Sequence, residues 1–214
     1  MIKVWGRKSS SNVQAVMWCL AELDLDYSRL DAGLSYGVVD TPEYRAMNPN
    51  GRVPTLQDGG NTPIWESGAI LRYLANQYGD DPFWPSDRVE RVRVDQWAEW
   101  AKINIALEFT SPVFWRVVRT PSSRRDPDAI NAAVSYLTRF LTIADEQLST
   151  NLYIAGNDFT LADVQFAHCL YRYFDIKIER KKLPNLERYY SLISERVAFQ
   201  QHVQVSYEEL RDTL

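Results

Sequence analysis

The chain has 214 residues, 45% of them apolar and 24% charged, an ordinary globular composition with room for one large domain or two small ones. Its 24 basic and 28 acidic residues leave a net charge of −4, which gives no electrostatic footprint for nucleic acid or an anionic membrane surface. No apolar run nears the ~20 residues of a membrane span, and Met1-Ile2-Lys3-Val4-Trp5-Gly6-Arg7-Lys8 lacks the apolar stretch of a signal peptide.

In chain order, Ile2 to Trp5 reads as a short strand, and Val13 to Leu23 has helical periodicity. Tyr27 to Leu30 is a second strand. After an irregular connection, Thr55 to Gln57 and Pro63 to Trp65 flank Asp58-Gly59-Gly60-Asn61, the composition of a hairpin turn. Glu66 to Tyr78 reads as a helix ending near Gly79. A strand–helix–strand start predicts a parallel pair with a right-handed crossover. The hairpin then adds antiparallel strands, so a mixed sheet is expected. Gly79 to Pro85 breaks the pattern like an interdomain linker. Beyond it the chain reads as helical: Asp87 to about Phe109, Ala129 to Leu148, 160 to 173, 185 to 195, and a last piece after Phe199. The expected domains are 1–80, α/β, and 86–214, all-helical.

Four features of the first domain bear on chemistry. Ser9-Ser10-Ser11-Asn12 precedes the first helix, where Ser and Asn serve as N-caps or aim a hydroxyl into a cleft. A serine hydroxyl that donates to a bound thiolate lowers the thiol pKa, and the nucleophile then belongs to the ligand. In Asn50-Gly51-Arg52-Val53-Pro54, an X-Pro bond tolerates cis geometry, which would turn the Val53 N–H and C=O outward to pair with an extended peptide. Glu66-Ser67 opens a helix, either as a plain cap or as a receiver for an α-amino acid head. In the second case helix N–H groups and the Ser67 hydroxyl take the carboxylate, and Glu66 takes the ammonium. Asp58-Gly59-Gly60 closes the hairpin. Cys19 and Cys169 lie far apart in helix-like segments, as buried free thiols of a reducing, cytoplasmic setting do. His168 and His202 have no metal-site spacing, so no metal is expected.

These residues resemble the glutathione S-transferase superfamily over nearly the whole chain. SSSNVQAVMW is similar to the first-helix entry of serine-type, bacterial theta-like members. NPNGRVPTLQDGG is similar to the segment that holds the cysteinyl unit of glutathione, and WESGAILRYLA to the helix start that holds its γ-glutamyl end. LYIAGNDFTLADVQFAHCL is similar to a capping segment of the second domain. The resemblance implies a thioredoxin-like N-terminal domain with a four-stranded mixed sheet, an all-α C-terminal domain, glutathione as co-substrate, a small hydrophobic electrophile and a homodimer. It aligns Ser10 with the hydroxyl that supports the thiolate, with Ser11 one step away as the alternative, and Asn12 with a thiol-contacting amide. It implies Arg52 beside the glycine carboxylate, Val53 and cis Pro54 against the cysteinyl unit, and Glu66 and Ser67 at the γ-glutamyl head.

The chain also departs from the pattern. Val38-Val39 are apolar where many members carry a polar side chain for the glycine carboxylate, leaving Tyr36, Asp40 or Arg52 to compensate. Neither Cys nor Tyr stands at the catalytic turn, which disfavours the thiol-transferase and tyrosine-type branches. The resemblance implies one of three functions: conjugation of glutathione to an electrophile, glutathione-dependent disulfide or peroxide reduction, or a non-catalytic scaffold on the same fold. Trp97, Trp100, Ile105, Phe109, Phe114, Trp115 and Arg116 are candidates to line the electrophile's side of the cleft. Thr160-Leu161-Ala162-Asp163 has the spacing of a capping box, with a structural role.

Overall fold

The computed structural model describes all 214 residues. The N-terminal domain is built on strand β1 (Ile2–Trp5), helix α1 (Ser11–Glu22) and strand β2 (Tyr27–Leu30). Strands β3 (Thr55–Asp58) and β4 (Ile64–Trp65) and helix α3 (Ser67–Tyr78) complete it. The sheet order is β2-β1-β3-β4. β1 pairs parallel with β2, Val4 opposite Arg29, and antiparallel with β3, Val4 opposite Leu56. β4 closes the hairpin, Leu56 opposite Ile64. The mixed sheet expected from the order of elements is therefore present. Ile2, Val4 and Leu56 are buried beneath α1, which hides Val13, Ala15, Val16, Met17, Trp18, Cys19 and Leu20.

The connection between β2 and β3 is more ordered than the sequence suggested. It holds a turn of 3-10 helix at Leu34–Tyr36 and the short helix α2 (Pro42–Met47). Thr41 caps α2 by accepting the Tyr44 N–H at 3.2 Å, with Pro42 at the first helical position. Six residues are too few for periodicity to register, so cap and proline were the only available signal.

The helical domain opens with α4 (Arg88–Ala101), whose first turn is capped by the Asp87 carboxylate. The helix does not stop near Phe109. It runs on through a wide π-type segment (Lys102–Ala106), the short turn α5 (Leu107–Phe109) and a second wide segment (Thr110–Arg119). Pro112 lacks an N–H and would clash in an ordinary helix interior; wide turns accommodate it. Thr120, ahead of Pro121, turns extended and ends the run.

Then come α6 (Pro127–Leu148), α7 (Leu161–Ala167), α8 (Leu170–Asp175), α9 (Pro184–Ser194) and α10 (Val197–His202). The single helix expected over 160–173 is broken at His168-Cys169. One continuous apolar core joins both domains, from Val4 and Trp18 to Phe166 and Tyr189. Arg72 on α3 clamps Asp95 and Glu99 on α4 at 2.5 and 2.6 Å, and Arg196 holds Glu22 on α1 at 2.5 Å.

Candidate active site

The turn after β1 delivers Ser9 to Asn12 to the mouth of an interdomain cleft of about 370 Å³. Ser10 is the N-cap residue of α1 by its extended backbone, φ −83°, ψ 121°, yet its hydroxyl does not cap the helix. Neither the Ser10 nor the Ser11 hydroxyl bonds within the chain, and neither is among the sealed-off polar atoms. Both line the cleft, together with Asn12 and the positive end of α1. Ser9 is spoken for. Its hydroxyl bonds Glu209, and its carbonyl accepts from Arg172 Nη2 at 2.6 Å.

Opposite, α2 and its exit loop present Val53. The Arg52 carbonyl accepts from the Tyr44 hydroxyl and from Asn48 Nδ2, both at 2.8 Å. Asn48 also receives the Asn50 N–H and donates to Thr55 Oγ1. Gly51 allows this turn: its φ is +59°, and a Cβ there would lie 3.1 Å from the Val39 carbonyl oxygen and from the Arg45 guanidinium. The Val53-Pro54 bond is cis, and the Val53 N–H and C=O have no partner in the chain. Arg52 and Val53 line the cleft, while Pro54 is buried behind them.

Glu66 and Ser67 lie at the start of α3. Glu66 is exposed and held at φ +68°, a region costly for a side chain with a Cβ. Ser67 is buried, and its hydroxyl donates to Asn12 Oδ1 at 3.2 Å, which ties the α3 start to the α1 start. A third group joins them that sequence reasoning missed. Lys102 Nζ donates to Asn12 Oδ1 at 3.0 Å and to Ser67 Oγ at 2.9 Å. Burial lowers its pKa, against the pull of Cys169, Glu66 and Glu99. A lone lysine in a helical stretch carries no sequence signal of such a role.

Of the candidates for the electrophile's side, only Trp115 reaches the cleft wall. Trp97 and Trp100 pack edge-to-face at 5.0 Å, and Trp100 leans on Phe166. Ile105, Phe109 and Phe114 are buried in the core, and Arg116 is exposed away from the cleft. The wall is instead strongly basic. Arg7, Arg52, Arg119 and Arg172 line it, with no Asp or Glu among the lining residues. None of the four forms an ion pair. Arg119 stacks 4.6 Å over Trp115, and Arg172 lies 4.8 Å over Phe114. The Nε atoms of Arg7 and Arg172 are buried without a partner. Burial lowers the pKa of Arg7, helped by Arg119, and that of Arg172 to about 10, helped by Arg7.

A larger, more open hollow of about 560 Å³ lies between α1 and α9–α10. Its wall contains the Arg196–Glu22 ion pair, so its one arginine is already partnered. Cys19 and Cys169 are buried and unpaired, and burial pushes both thiols up, Cys169 to about 11. Neither is poised as a protein nucleophile.

The glutathione S-transferase N-terminal domain model matches residues 1–76, and the glutathione S-transferase C-terminal domain model matches 108–196. The glutathione S-transferase GstB of Escherichia coli is 34% identical over 206 residues, covering 96% of this chain and 99% of that protein. The theta-class glutathione S-transferase of Xanthomonas axonopodis pv. citri, solved with glutathione bound, is 40% identical and superposes with a TM-score of 0.91 over 96% of this chain and 98% of its own. Elongation factor 1-gamma of Prunus avium is 35% identical over 155 residues, 70% of this chain but 35% of that protein. With an N-terminal domain of mixed four-stranded sheet, a helical C-terminal domain and family matches to both, the chain belongs to the glutathione S-transferase family.

Proposed function

We propose that the chain binds glutathione in the interdomain cleft and transfers it to a small electrophile that carries a carboxylate on a flat apolar body. The Ser10 hydroxyl, free of any cap bond at the positive end of α1, donates to the glutathione sulfur and favours its thiolate. Ser11 shares the wall, but as the first helical residue it is held by the helix backbone, whereas Ser10 stands just outside it. The unpaired Val53 N–H and C=O are suited to the cysteinyl unit and Arg52 to the glycine carboxylate. Glu66 and Ser67 lie outside the lining of the cleft at the adjoining α3 start, and because the Ser67 hydroxyl is taken by Asn12 and Lys102, the γ-glutamyl head falls to the free N–H groups of that helix start and to the exposed Glu66 carboxylate. No protein thiol competes as nucleophile, because both cysteines are buried.

The class of electrophile rests on the unpaired arginines. Burial disfavours the charge on Arg7, Arg119 and Arg172, Arg119 adds to the cost at Arg7 and Arg7 to that at Arg172, and none has a carboxylate within ion-pair distance, Glu209 easing Arg7 only from further off. An anion entering the cleft relieves that cost, and a guanidinium fork suits a carboxylate. The stacked Trp115 supplies the apolar wall. A single glutathione conjugation assay on a matched pair, chlorodinitrobenzoate and chlorodinitrobenzene, tests both halves. Ser10→Ala should lower kcat/KM on both by on the order of 10²-fold. Arg119→Gln should lower it about 10-fold on the benzoate alone. Full activity in Ser10→Ala would remove the serine assignment, and equal losses on both substrates in Arg119→Gln would remove the anionic one.

The working unit is a homodimer in this reading. Val89 and Val92 on α4, and Ile103 and Leu107 beyond it, are exposed along the long helical run, and a second copy of the chain would cover them.

A further inference from the structure

Lys102 opens the wide segment that follows α4, so it belongs to the helical domain, yet both its bonds reach the other domain. An ammonium group can only donate. The Asn12 atom it touches must therefore be the carbonyl oxygen, and the Ser67 hydroxyl donates to that same oxygen. Two donors on Oδ1 fix which way the Asn12 amide faces. Its NH2 group has no partner in the chain and is not among the sealed-off polar atoms, while Asn12 shares the cleft wall with Ser10. Donation to the carbonyl side of an amide also strengthens its N–H as a donor.

We propose that Lys102 is a positioning residue for the glutathione thiolate: by holding Asn12 Oδ1 it aims the Asn12 amide N–H at the sulfur, a second donor beside the Ser10 hydroxyl. The assignment rests on the glutathione reading above and deepens it. It makes ionisation of the ligand in one domain depend on a side chain of the other. No bond is made or broken by Lys102; it sets the geometry in which the bound thiol loses its proton.

The test is a pH titration of bound glutathione, followed by the ultraviolet absorbance of its thiolate, in wild type, Lys102→Met and Asn12→Asp. Asn12→Asp keeps an acceptor for Lys102 and Ser67 but loses the N–H that faces the sulfur. Both variants should cut the thiolate fraction at neutral pH about 10-fold. In Lys102→Met, kcat/KM should return to the wild-type value at alkaline pH, where the thiol ionises unaided. An unchanged titration in both variants overturns the assignment. So does weaker glutathione binding by Lys102→Met with the titration unchanged, which would give Lys102 to the γ-glutamyl end through Ser67. If Lys102→Met fails to fold, a folded Asn12→Asp with wild-type ionisation overturns the assignment on its own. Wild-type protein that does not bind glutathione at all fails differently, because it removes the functional reading itself.

Discussion

Asp163 shows how much local structure one buried carboxylate organises. Its Oδ2 accepts from the Thr160 N–H at 2.8 Å and hydroxyl at 3.1 Å, and its Oδ1 from the Ile154 N–H at 3.0 Å and the Tyr189 hydroxyl at 2.9 Å. The T-x-x-D spacing predicts the bonds to Thr160. The bonds from Ile154 and Tyr189 come from residues 9 and 26 positions away and appear only in the fold. Truncation to Ala leaves these buried donors unpaired, which costs about 3 kcal/mol. Denaturant unfolding of Asp163→Ala should show that loss at unchanged slope, and a loss below about 1 kcal/mol would mean that the loop relaxes and rehydrates the donors.

At the scale of elements, the run from α4 to Arg119 does the most. Arg72 clamps its inner side to α3 through Asp95 and Glu99, Lys102 reaches the thioredoxin-like domain, and Trp115 and Arg119 form the cleft wall. The wide segments change the angular step per residue, so periodicity counted at 3.6 residues per turn loses register after Ala101. Beyond that point Ile105, Phe109 and Phe114 fall in the core while Thr110 and Arg119 reach the cleft wall; Trp97 and Trp100, on α4 itself, are instead taken up by packing against each other and against Phe166. The outer side of α4 carries Val89 and Val92, 65% and 64% exposed, the apolar side chains that a second copy of the chain would cover in the dimer proposed above. Sedimentation should find wild type as a dimer and Val92→Glu as a monomer. A Val92→Glu protein that still sediments as the wild type does would place any interface elsewhere.

Across the whole molecule, two buried groups set opposed pH slopes. Burial pushes Asp163 up from 3.8 to about 6, so the folded state holds that proton more tightly, and its contribution to stability falls as pH rises through that window. His168 sits beside Lys102 and Arg172, and its Nδ1 faces the Gln165 carbonyl at 2.8 Å; burial and those two cations push it down from 6.5 to about 3. Its unfolded form takes a proton that the folded form refuses, so stability from His168 is full above 6.5 and is lost as pH falls. Between about 4 and 6 the two slopes offset each other in the wild type. His168→Met removes one of them, so its stability relative to wild type should improve between pH 7 and pH 5. Parallel denaturation midpoints at the two pH values would show that His168 titrates normally.

Much of the fold was legible without coordinates. Alternating short strands, the Asp58-Gly59-Gly60 turn, the break at Gly79 and the long amphipathic stripes are local signals, because a strand, a turn or a helix is decided by neighbours within a few positions. Ser9 to Asn12, Val53-Pro54 and Glu66-Ser67 were legible for the same reason, as helix starts and an X-Pro step. Tertiary structure alone decided which of their groups are already bonded. It gives Ser9 to Glu209 and Arg172, leaves the Ser10 and Ser11 hydroxyls free, and ties Ser67 and Asn12 to Lys102. It also gathers Arg7, Arg119 and Arg172 from three distant stretches onto one wall. Sequence spacing determines local backbone geometry over a few residues, whereas desolvation and charge pairing depend on atoms brought together from 90 or 163 positions apart.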